Sequence, residues 1–400
     1  MGDVLNKGSN LFPAELVTEM FNAVKGKSSL AKLSKADPIA FAGTEIMTFN
    51  FDREVDIVAE SGAKSKGGVT ATPVTLVPIK FEYGARVSDE FLYAAEEVRL
   101  DYLKNFAEGF AKKLARGMDI AAMHGTNPRT GSASTVVGDN NLDSKATQMV
   151  TYAAASADEN LNTAAQLVIG SDGEVTGIAL SPTMGAALSG IKVNGVPQYP
   201  EFRFGRTPEN FYGMPVDVNS TVSVGNVDYA ILGDFANAFK WGYAKDVTFE
   251  VIKYGNPDND ATLGDLKGHN QVYLRAEAYI GWGILDAVSF ARVVKPEEVT
   301  ITAVANGTSG SATSTKISLT FNVDVYGLKA EHITLADGTG TGAGAATMGA
   351  LTGSGKNWEL ALTEVTTQGN VSLTIADIGG FDFPSTATTV AVYLKSNSPS

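Results

Sequence analysis

The sequence predicts an α+β body followed by an all-β sandwich, and three patterns support this prediction. Residues 96–124 repeat apolar side chains at helical spacing, residues 77–87 alternate apolar with polar side chains, and residues 299–397 show strand patterns only. A chain of 400 residues is too long for one ordinary hydrophobic core. We therefore expect at least two domains, with a boundary near Pro296.

Residues 1–30 are interpreted as an N-terminal arm that precedes a body over residues 31–295. After Pro13, apolar side chains at helical spacing predict one short helix. These side chains are Leu16, Met20, Phe21 and Val24. The rest of the arm holds too few apolar residues to build a core of its own.

Residues 44–87 predict two long strands joined by a polar tip. The return strand, 77–87, alternates apolar and polar residues, whereas the outgoing strand, 46–57, is less regular. The tip, 60–68, is rich in Gly, Ser and Lys and cannot form a core. Because an isolated hairpin is at best marginally stable in water, we expect this one to lie on a neighbouring subunit.

Residues 96–124 form the strongest predicted helix. Its apolar side chains recur at three- and four-residue steps from Leu103 onward. Acidic residues come first and basic residues follow, an order that complements the helix dipole, and Gly125 is a natural stop. A helix of this length measures on the order of 40 Å, which is enough to brace a flat, extended subunit.

Between residues 126 and 295 the sequence predicts a mixture of helices and strands, which is typical of an α+β fold. After a loop over 126–141, the predicted helices are 144–168 and 184–191, the predicted strands are 177–181, 214–220, 247–254 and 271–287, and an apolar run covers 228–235.

Residues 299–397 contain no helical pattern. Alternation is regular over 317–325 and recurs over 358–362, 371–375 and 390–394, with Gly- and Thr-rich turns between these stretches. Short strands over about 100 residues predict an antiparallel sandwich.

Composition excludes several classes of protein. A net charge of −13 lacks the excess of Lys and Arg that a DNA-binding protein needs. The chain has no cysteine, which excludes disulfides and thiolate metal sites and suits a reducing cytoplasm. The N-terminus lacks a signal-peptide pattern, and no apolar stretch is long enough to cross a bilayer, so we expect no membrane partner.

Catalytic patterns are sparse. The histidines are His124, His269 and His332, and no paired spacing links them. His124 ends the long helix, where an imidazolium can meet free carbonyl groups. We interpret all three as structural, and we expect no enzyme activity, no metal site and no cofactor.

Three stretches imitate ligand motifs but miss required residues. The glycine-rich run 338–344 has no following helix, so we interpret it as a surface loop rather than a dinucleotide site. The stretch 353–357 lacks the Ser or Thr of a phosphate loop. The stretch 258–260 lacks the glycine and the distal Glu of a calcium loop.

Residues 1–295 resemble the major capsid proteins of tailed bacteriophages, which have the Hong Kong 97-type fold. Four stretches in the family's order carry this resemblance. They are HGTNPRTG after the long helix (124–131), ALSPTMGAALSGIKVNGVPQY (179–199), FYGMPVDVNSTV (211–222), and the pair of segments 229–252 and 272–294 with their Leu-Gly-Asp-Phe turn and closing Ala-Arg.

The resemblance implies a specific architecture. It implies an extended loop at 45–85, a spine helix at 96–124 in a peripheral domain, and an axial domain over about 150–250. Residues 297–400 are similar to the immunoglobulin-like domains of some phage structural proteins, which would stand on the outer shell surface.

The resemblance also implies partners and a location. The chain would assemble with itself into hexamers and pentamers of an icosahedral virion, formed in the host bacterial cytoplasm around double-stranded DNA. The other expected partners are a portal protein, host-surface glycans for residues 297–400 and, because the arm starts almost at Met1, a separate scaffolding protein.

The tip of the extended loop supplies the candidate site residues. We predict intersubunit contacts for Glu60, Ser61, Gly62, Lys64 and Lys66. In one branch of the family a loop lysine forms an isopeptide bond with an Asn of a neighbouring subunit, assisted by a Glu, which makes Lys64 and Lys66 candidates for such a cross-link. The alternative is that these lysines make ordinary ion pairs between subunits.

Three other functions are compatible with parts of the sequence. An encapsulin, a nanocompartment shell of the same fold, is the main alternative. Residues 297–400 alone would also suit a glycan-binding adhesin, although the α+β body and the lack of a signal peptide argue against it. An enzyme is a third class, and no coherent catalytic site supports it.

Overall fold

A computed structural model of the chain describes residues 28–94 and 96–396. The α-helices within these ranges are α1 (Ser29–Leu33), α2 (Glu96–His124), α3 (Leu142–Lys145), α4 (Ala157–Ile169) and α5 (Pro182–Gly190). The predicted arm helix after Pro13 lies outside the described residues.

The strands fall into two groups on either side of Pro296. Those of the body are β1 (Thr44–Phe51), β2 (Val69–Leu76), β3 (Ile79–Ser88), β4 (Gln148–Thr151), β5 (Gly177–Leu180), β6 (Lys192–Val193), β7 (Val196–Pro197), β8 (Asn210–Phe211), β9 (Met214–Val218), β10 (Asp228–Gly233), β11 (Phe239–Ile252), β12 (Gln271–Ile284) and β13 (Phe290–Val294). Those that follow are β14 (Glu297–Glu298), β15 (Ile301–Ala305), β16 (Lys316–Val325), β17 (Ile333–Ala336), β18 (Ala345–Thr367), β19 (Gly369–Ile375), β20 (Phe381–Asp382) and β21 (Thr388–Val392).

The long helix α2 has the predicted bounds and forms the centre of the largest hydrophobic cluster. One face of α2 buries side chains at three- and four-residue steps, including Leu103, Phe110, Leu114 and Met118. Gly125 ends the helix with a φ of +63°, a conformation that strongly favours glycine, and its N–H donates to the Ala121 carbonyl.

A three-stranded antiparallel sheet in the order β11-β12-β3 packs against α2. Strand β3 contains the residues predicted to be the return strand of the hairpin, and that prediction is wrong. Tyr83 pairs with Ala276 of β12, whereas the partner of β1 is β2. The alternation of β3 arises because one of its faces packs against the body of its own chain.

A six-stranded sheet in the order β4-β13-β10-β5-β9-β8, covered by α4 and α5, forms a second cluster. Ser181 caps α5 by accepting a hydrogen bond from the Met184 N–H, and Pro182 stands at the first helical position. The predicted helix over 144–168 is wrong in its first half. Residues 148–151 form β4, which pairs in parallel with β13, so that the long helix of this region starts only at Ala157.

A buried carboxylate links the start of the described chain to α2. Asp119 accepts hydrogen bonds from the backbone N–H groups of Ser29 and Leu30, at 2.9 and 3.3 Å, and from the hydroxyls of Ser28 and Thr221. Burial raises the pKa of Asp119 to about 6, and these hydrogen bonds limit the rise. Residues 28–30 therefore lie beside the C-terminal half of α2.

Residues 297–396 contain strands, turns and one short 3₁₀ helix, as the all-β prediction requires. Two three-stranded sheets, β15-β16-β18 and β17-β19-β21, enclose a third cluster. This part also contacts the body. The Gly380 N–H donates to the Thr151 hydroxyl, and a Cβ at Gly379 would lie 1.9 Å from the Met149 carbonyl oxygen. The immunoglobulin-like assignment stays a prediction.

Candidate intersubunit interface

Strands β1 and β2 form a two-stranded hairpin that is attached to the body only at its base. Leu76, the last residue of β2, is 4% exposed and lies against Gly283 of β12, where there is no side chain to displace it. The Ile39 side chain and the Val77 carbonyl lie similarly close to Gly281. These close contacts hold the base in place, while β1 and β2 pair with each other and with no third strand among the residues described.

One face of this hairpin is apolar and open to solvent. Met47, Phe49 and Phe51 alternate along β1 and are 47%, 62% and 72% exposed. Their register partners on β2 are Pro73, Ala71 and Val69, which are also exposed. We call this set the apolar hairpin face. Exposed apolar surface of this kind usually marks a site of protein contact.

The opposite face of the hairpin is more polar and better covered. It carries Thr44, Ile46, Thr48 and Asn50 on β1, paired with Leu76, Val74, Thr72 and Thr70 on β2. The side chains of Thr44 and Thr48 are half-buried, and the Thr48 hydroxyl donates to the Thr72 carbonyl. The hairpin thus packs Val74 and Leu76 of this face against its own chain near the base, while the apolar hairpin face stays open to solvent.

The tip between the strands is an exposed loop. The Asp52 N–H donates to the Gly68 carbonyl, and the Gly68 N–H donates to the Asp52 carboxylate at 2.6 Å, which closes the neck of the loop. Beyond the neck, Val55 and Ile57 are 94% and 97% exposed. Apolar side chains this far from any core gain stability only by contact with another molecule.

The predicted site residues all lie on this tip. Glu60, Ser61, Gly62, Lys64 and Lys66 are exposed. Ser61 has a φ of +68°, and the Gly62 N–H donates to the Ala59 carbonyl, which forms a tight turn. Within the part of the chain that the structure describes, neither lysine pairs with a carboxylate. Their roles in contact or cross-linking stay predictions.

A second exposed apolar region lies where α2 begins. Tyr93, Val98 and Tyr102 are 82%, 60% and 46% exposed, and the Tyr102 ring contacts that of Phe91. Further apolar side chains protrude from the far edge of the six-stranded sheet, where Phe204 and Tyr212 are 98% and 79% exposed. The body therefore offers several separate apolar regions for contact with neighbours.

The sequence indicates the extended hairpin and places Phe49 and Phe51 on its outgoing strand, but it does not single out the apolar hairpin face. The signal for this face is the short alternation of Met47, Phe49 and Phe51. The alternation of 47–51 is a weak signal because β1 continues into the irregular segment after Asp52. The alternation of 77–87 is longer and predicts the return strand of the same hairpin.

The three histidines occupy different settings. His269 and His332 lie in short 3₁₀ helices, and their interpretation as structural residues stays a prediction. His124 is buried at the end of α2, where its ring contacts Asp143 and the Thr221 carbonyl. Sequence reasoning placed His124 at the helix end but could not foresee these contacts, because Asp143 and Thr221 are distant in the chain.

Solved structures from bacteriophages share this fold. A chain from Mycobacterium phage Ogopogo is 29% identical, with a TM-score of 0.58 over 67% of this chain and 92% of the phage chain. A chain from Gordonia phage Cozz is 24% identical, with a TM-score of 0.57 over 68% of this chain and 87% of its own. A chain from Mycobacterium phage Bobi is 18% identical, with a TM-score of 0.52 over 68% of this chain and 91% of its own.

No protein-family model and no curated protein matches the sequence. No helix among the described residues is long and apolar enough to span a membrane. Together with the spine helix, the two sheets of the body and the protruding hairpin, the phage neighbours confirm the resemblance that the sequence predicts. The chain has the Hong Kong 97-type fold of phage major capsid proteins.

Proposed function

We propose that this chain is a major capsid protein whose copies assemble into a closed icosahedral shell of hexamers and pentamers. The observation that carries the proposal is the apolar hairpin face. Met47, Phe49 and Phe51 lie on a limb that the chain extends away from its own cores. Such a limb is stabilised when a neighbouring copy covers it.

The geometry of the limb suits a shell better than an isolated dimer. A specific interface buries roughly 1,600 Å² in total. Each subunit can lay its hairpin on one neighbour and receive the hairpin of the other neighbour on a different surface. This contact, repeated around a rotation axis, closes a ring. The further exposed regions at Tyr93 and Phe204 offer contacts on other sides of the same subunit.

The test compares two double variants of the full chain. We expect Phe49→Ser with Phe51→Ser to abolish shell formation, because both rings lie on the apolar hairpin face. The matched control is Asn50→Ser with Thr70→Ser, a pair on the opposite face of the same hairpin. Electron microscopy and sedimentation velocity report assembly. Shells formed by the first variant at the yield of the control would refute the proposal.

We propose that the shell encloses double-stranded DNA. The net charge of −13 suits a wall that DNA touches without binding tightly. A portal protein at one vertex and a separate scaffolding protein are the further proposed partners, with assembly in the host bacterial cytoplasm. Particles that hold DNA and have one vertex unlike the others are the expected result of cryo-electron microscopy. Particles that hold protein cargo and lack such a vertex would instead indicate an encapsulin, which the phage neighbours do not favour.

Residues 297–400 are proposed to form an immunoglobulin-like domain on the outer surface of the shell, with host-surface glycans as candidate ligands. Brief protease treatment of intact particles should cleave this part and leave the body in the shell. Glycan arrays probed with intact particles test the ligand. If the protease cleaved the body earlier than it cleaved residues 297–400, the outward placement would be contradicted.

We propose that the tip residues Glu60 to Lys66 make ordinary polar contacts with the neighbouring copy. Both lysines are exposed on a tip rich in Gly and Ser, whereas nucleophilic attack by a lysine needs a neutral amine in a desolvated pocket. Denaturing gels of purified particles should show single intact chains. A ladder of covalent multimers that disappears in the Lys64→Arg or Lys66→Arg variant would establish the cross-link instead.

A further inference from the structure

Four charged side chains meet in the interior of the body. His124 ends α2, Asp143 lies in α3, Asp228 begins β10 and Arg292 lies in β13. The Arg292 Nη2 atom lies 3.0 Å from Asp143 Oδ1 and 2.9 Å from Asp228 Oδ1. The side chain of Asp228 is fully buried, and those of His124 and Arg292 are only 3% and 5% exposed.

The contacts of His124 indicate which of its two ring nitrogens are protonated. Nε2 lies 2.8 Å from the Thr221 carbonyl oxygen, which can only accept, so Nε2 donates. Nδ1 lies 2.9 Å from Asp143 Oδ2 and 3.6 Å from Asp228 Oδ2. A bare nitrogen lone pair facing two carboxylate oxygens would be repelled. A proton on Nδ1 removes this repulsion and makes the ring an imidazolium.

Charge balance supports the same protonation state. The cluster contains two carboxylates and one guanidinium, so one additional proton makes it neutral, and its loss leaves a net negative charge in a buried place. Burial by itself lowers the pKa of His124, but the hydrogen bond to Asp143 and the charges of Asp143 and Asp228 outweigh this and raise it above its ordinary value.

The carboxylates respond to the same neighbours. Burial favours a higher pKa for Asp143, yet the His124 hydrogen bond and the Arg292 charge lower it to about 2. Burial raises the pKa of Asp228 well above its usual range, against the opposing charge of Arg292. No donor group of the described residues satisfies Asp228 Oδ2, and a protonated Asp228 could donate to the Asp143 carboxylate, so Asp228 competes for the proton that His124 Nδ1 carries.

The cluster lies where separate parts of the body meet. His124 belongs to the spine helix, whereas Asp228 and Arg292 belong to the six-stranded sheet. Arg292 also contacts the Met149 sulfur at 4.0 Å. Met149 is the residue whose carbonyl lies against Gly379 of the C-terminal sheets.

We propose that this buried proton makes the junction between the spine helix and the six-stranded sheet sensitive to pH: the junction is tight while the proton is held and loosens when it is lost. Because the pKa of His124 is raised on folding, its stabilising contribution is complete below the pKa of an exposed histidine. The contribution is lost as pH rises through the folded value. This proposal concerns the folded chain and does not depend on the function of the shell.

A divalent cation is the competing occupant. His124 Nδ1 and one oxygen from each of Asp143 and Asp228 lie within 4.8 Å of one another. With Arg292 beside both carboxylates, however, a dication and a neutral histidine would leave a net positive charge in the interior. A proton balances the cluster, so we favour the proton.

The test uses calorimetry on the full chain at about pH 6 and about pH 9, which span the range in which a histidine titrates. We expect the unfolding temperature of the wild type to be lower at the higher pH. We expect this decrease, called the pH step, to be absent in His124→Gln. His269→Gln and His332→Gln are matched controls that should keep it. Asp228→Asn removes one negative charge, so the cluster is neutral without the extra proton, and this variant should also lose the step. It serves as the test variant if His124→Gln does not fold.

A second measurement observes the ring directly. In protein labelled with ¹⁵N-histidine, the His124 signal is assigned by elimination with the two control variants. Two protonated ring nitrogens at neutral pH support the proposal. A neutral ring, an unchanged step in Asp228→Asn, or a stoichiometric metal that raises the unfolding temperature and is removed by chelators would overturn it.

Discussion

Strands β1 and β16 have the same sequence pattern and opposite surroundings. Along β16, Ile317, Leu319 and Phe321 alternate with polar residues and are 0–3% exposed. Along β1, Met47 and Phe49 alternate in the same way and are 47% and 62% exposed. The comparison teaches that alternation identifies an apolar face but does not identify what covers it.

The difference lies in the neighbours of each strand. Strand β16 has β15 on one side and β18 on the other, and the sheet β17-β19-β21 covers its apolar face. Strand β1 has β2 alone, and no part of the described chain covers the apolar hairpin face. We therefore expect substitutions on β16 to act on folding and substitutions on β1 to act on assembly.

The largest expected effect tests the covered strand. Leu319→Ala should lower the free energy of unfolding by about 2–5 kcal/mol, because it removes buried methyl groups and leaves a cavity in the C-terminal cluster. Urea unfolding of the full chain, followed by the fluorescence of Trp358, which pairs with Leu319, measures this loss. A loss below about 1 kcal/mol would mean that β16 is covered less tightly than its exposure indicates.

The next effect tests the contact between the covered region and the body. Gly379→Ala places a Cβ 1.9 Å from the Met149 carbonyl oxygen, so the C-terminal sheets must move away from β4. We expect a loss of about 1–3 kcal/mol and faster hydrogen exchange at residues 148–151. Gly190→Ala is the control, because its Cβ would meet no atom within 4 Å. Equal exchange in both variants would show that the contact is loose.

A smaller effect is expected on the polar face of the covered sheet. Glu359 pairs with Lys316 at 2.5 Å, but both side chains are about half exposed. Glu359→Gln should therefore cost only about 0.2–1 kcal/mol, with the lower end reached at high salt. Comparing this variant with Leu319→Ala separates the two faces of one sheet, and a cost as large as that of Leu319→Ala would contradict the distinction.

The smallest effect on folding is expected on the uncovered strand. Phe49→Ala should change the free energy of unfolding of the unassembled chain by no more than about 0.5 kcal/mol, since the ring contacts little of its own chain. The same variant should raise the protein concentration needed for shell formation, as measured by light scattering. If instead it unfolded the monomer, β1 would be covered in solution and the comparison would fail.

Particular elements show what the sequence could predict. The bounds of α2 were predictable because its apolar repeat is long and ends at Gly125. The start of β9 at Met214 and the strand character of β16 were predictable because each has a clear local pattern. The proposed contact surface was only half predictable, since the sequence indicates the extended hairpin but does not single out its apolar face.

The errors share one cause. Strand β3 was assigned to the hairpin because alternation is local, whereas its pairing with β12 joins residues far apart in the chain. Strand β4 precedes the alanine-rich stretch 153–157, so local spacing predicts a helix across both, and only pairing with β13 makes residues 148–151 a strand. The charged cluster around His124 escaped prediction because its members come from four separate elements.

The sequence by itself determined the two structural regions, the spine helix, the all-β character of the C-terminal part and the polar tip at 60–68, because these depend on local periodicity and on residue preferences. The tertiary structure decided which strand pairs with which, which apolar face stays open and where the buried charges meet. Those features depend on contacts between residues distant in the chain, and periodicity along the chain carries no information about such partners.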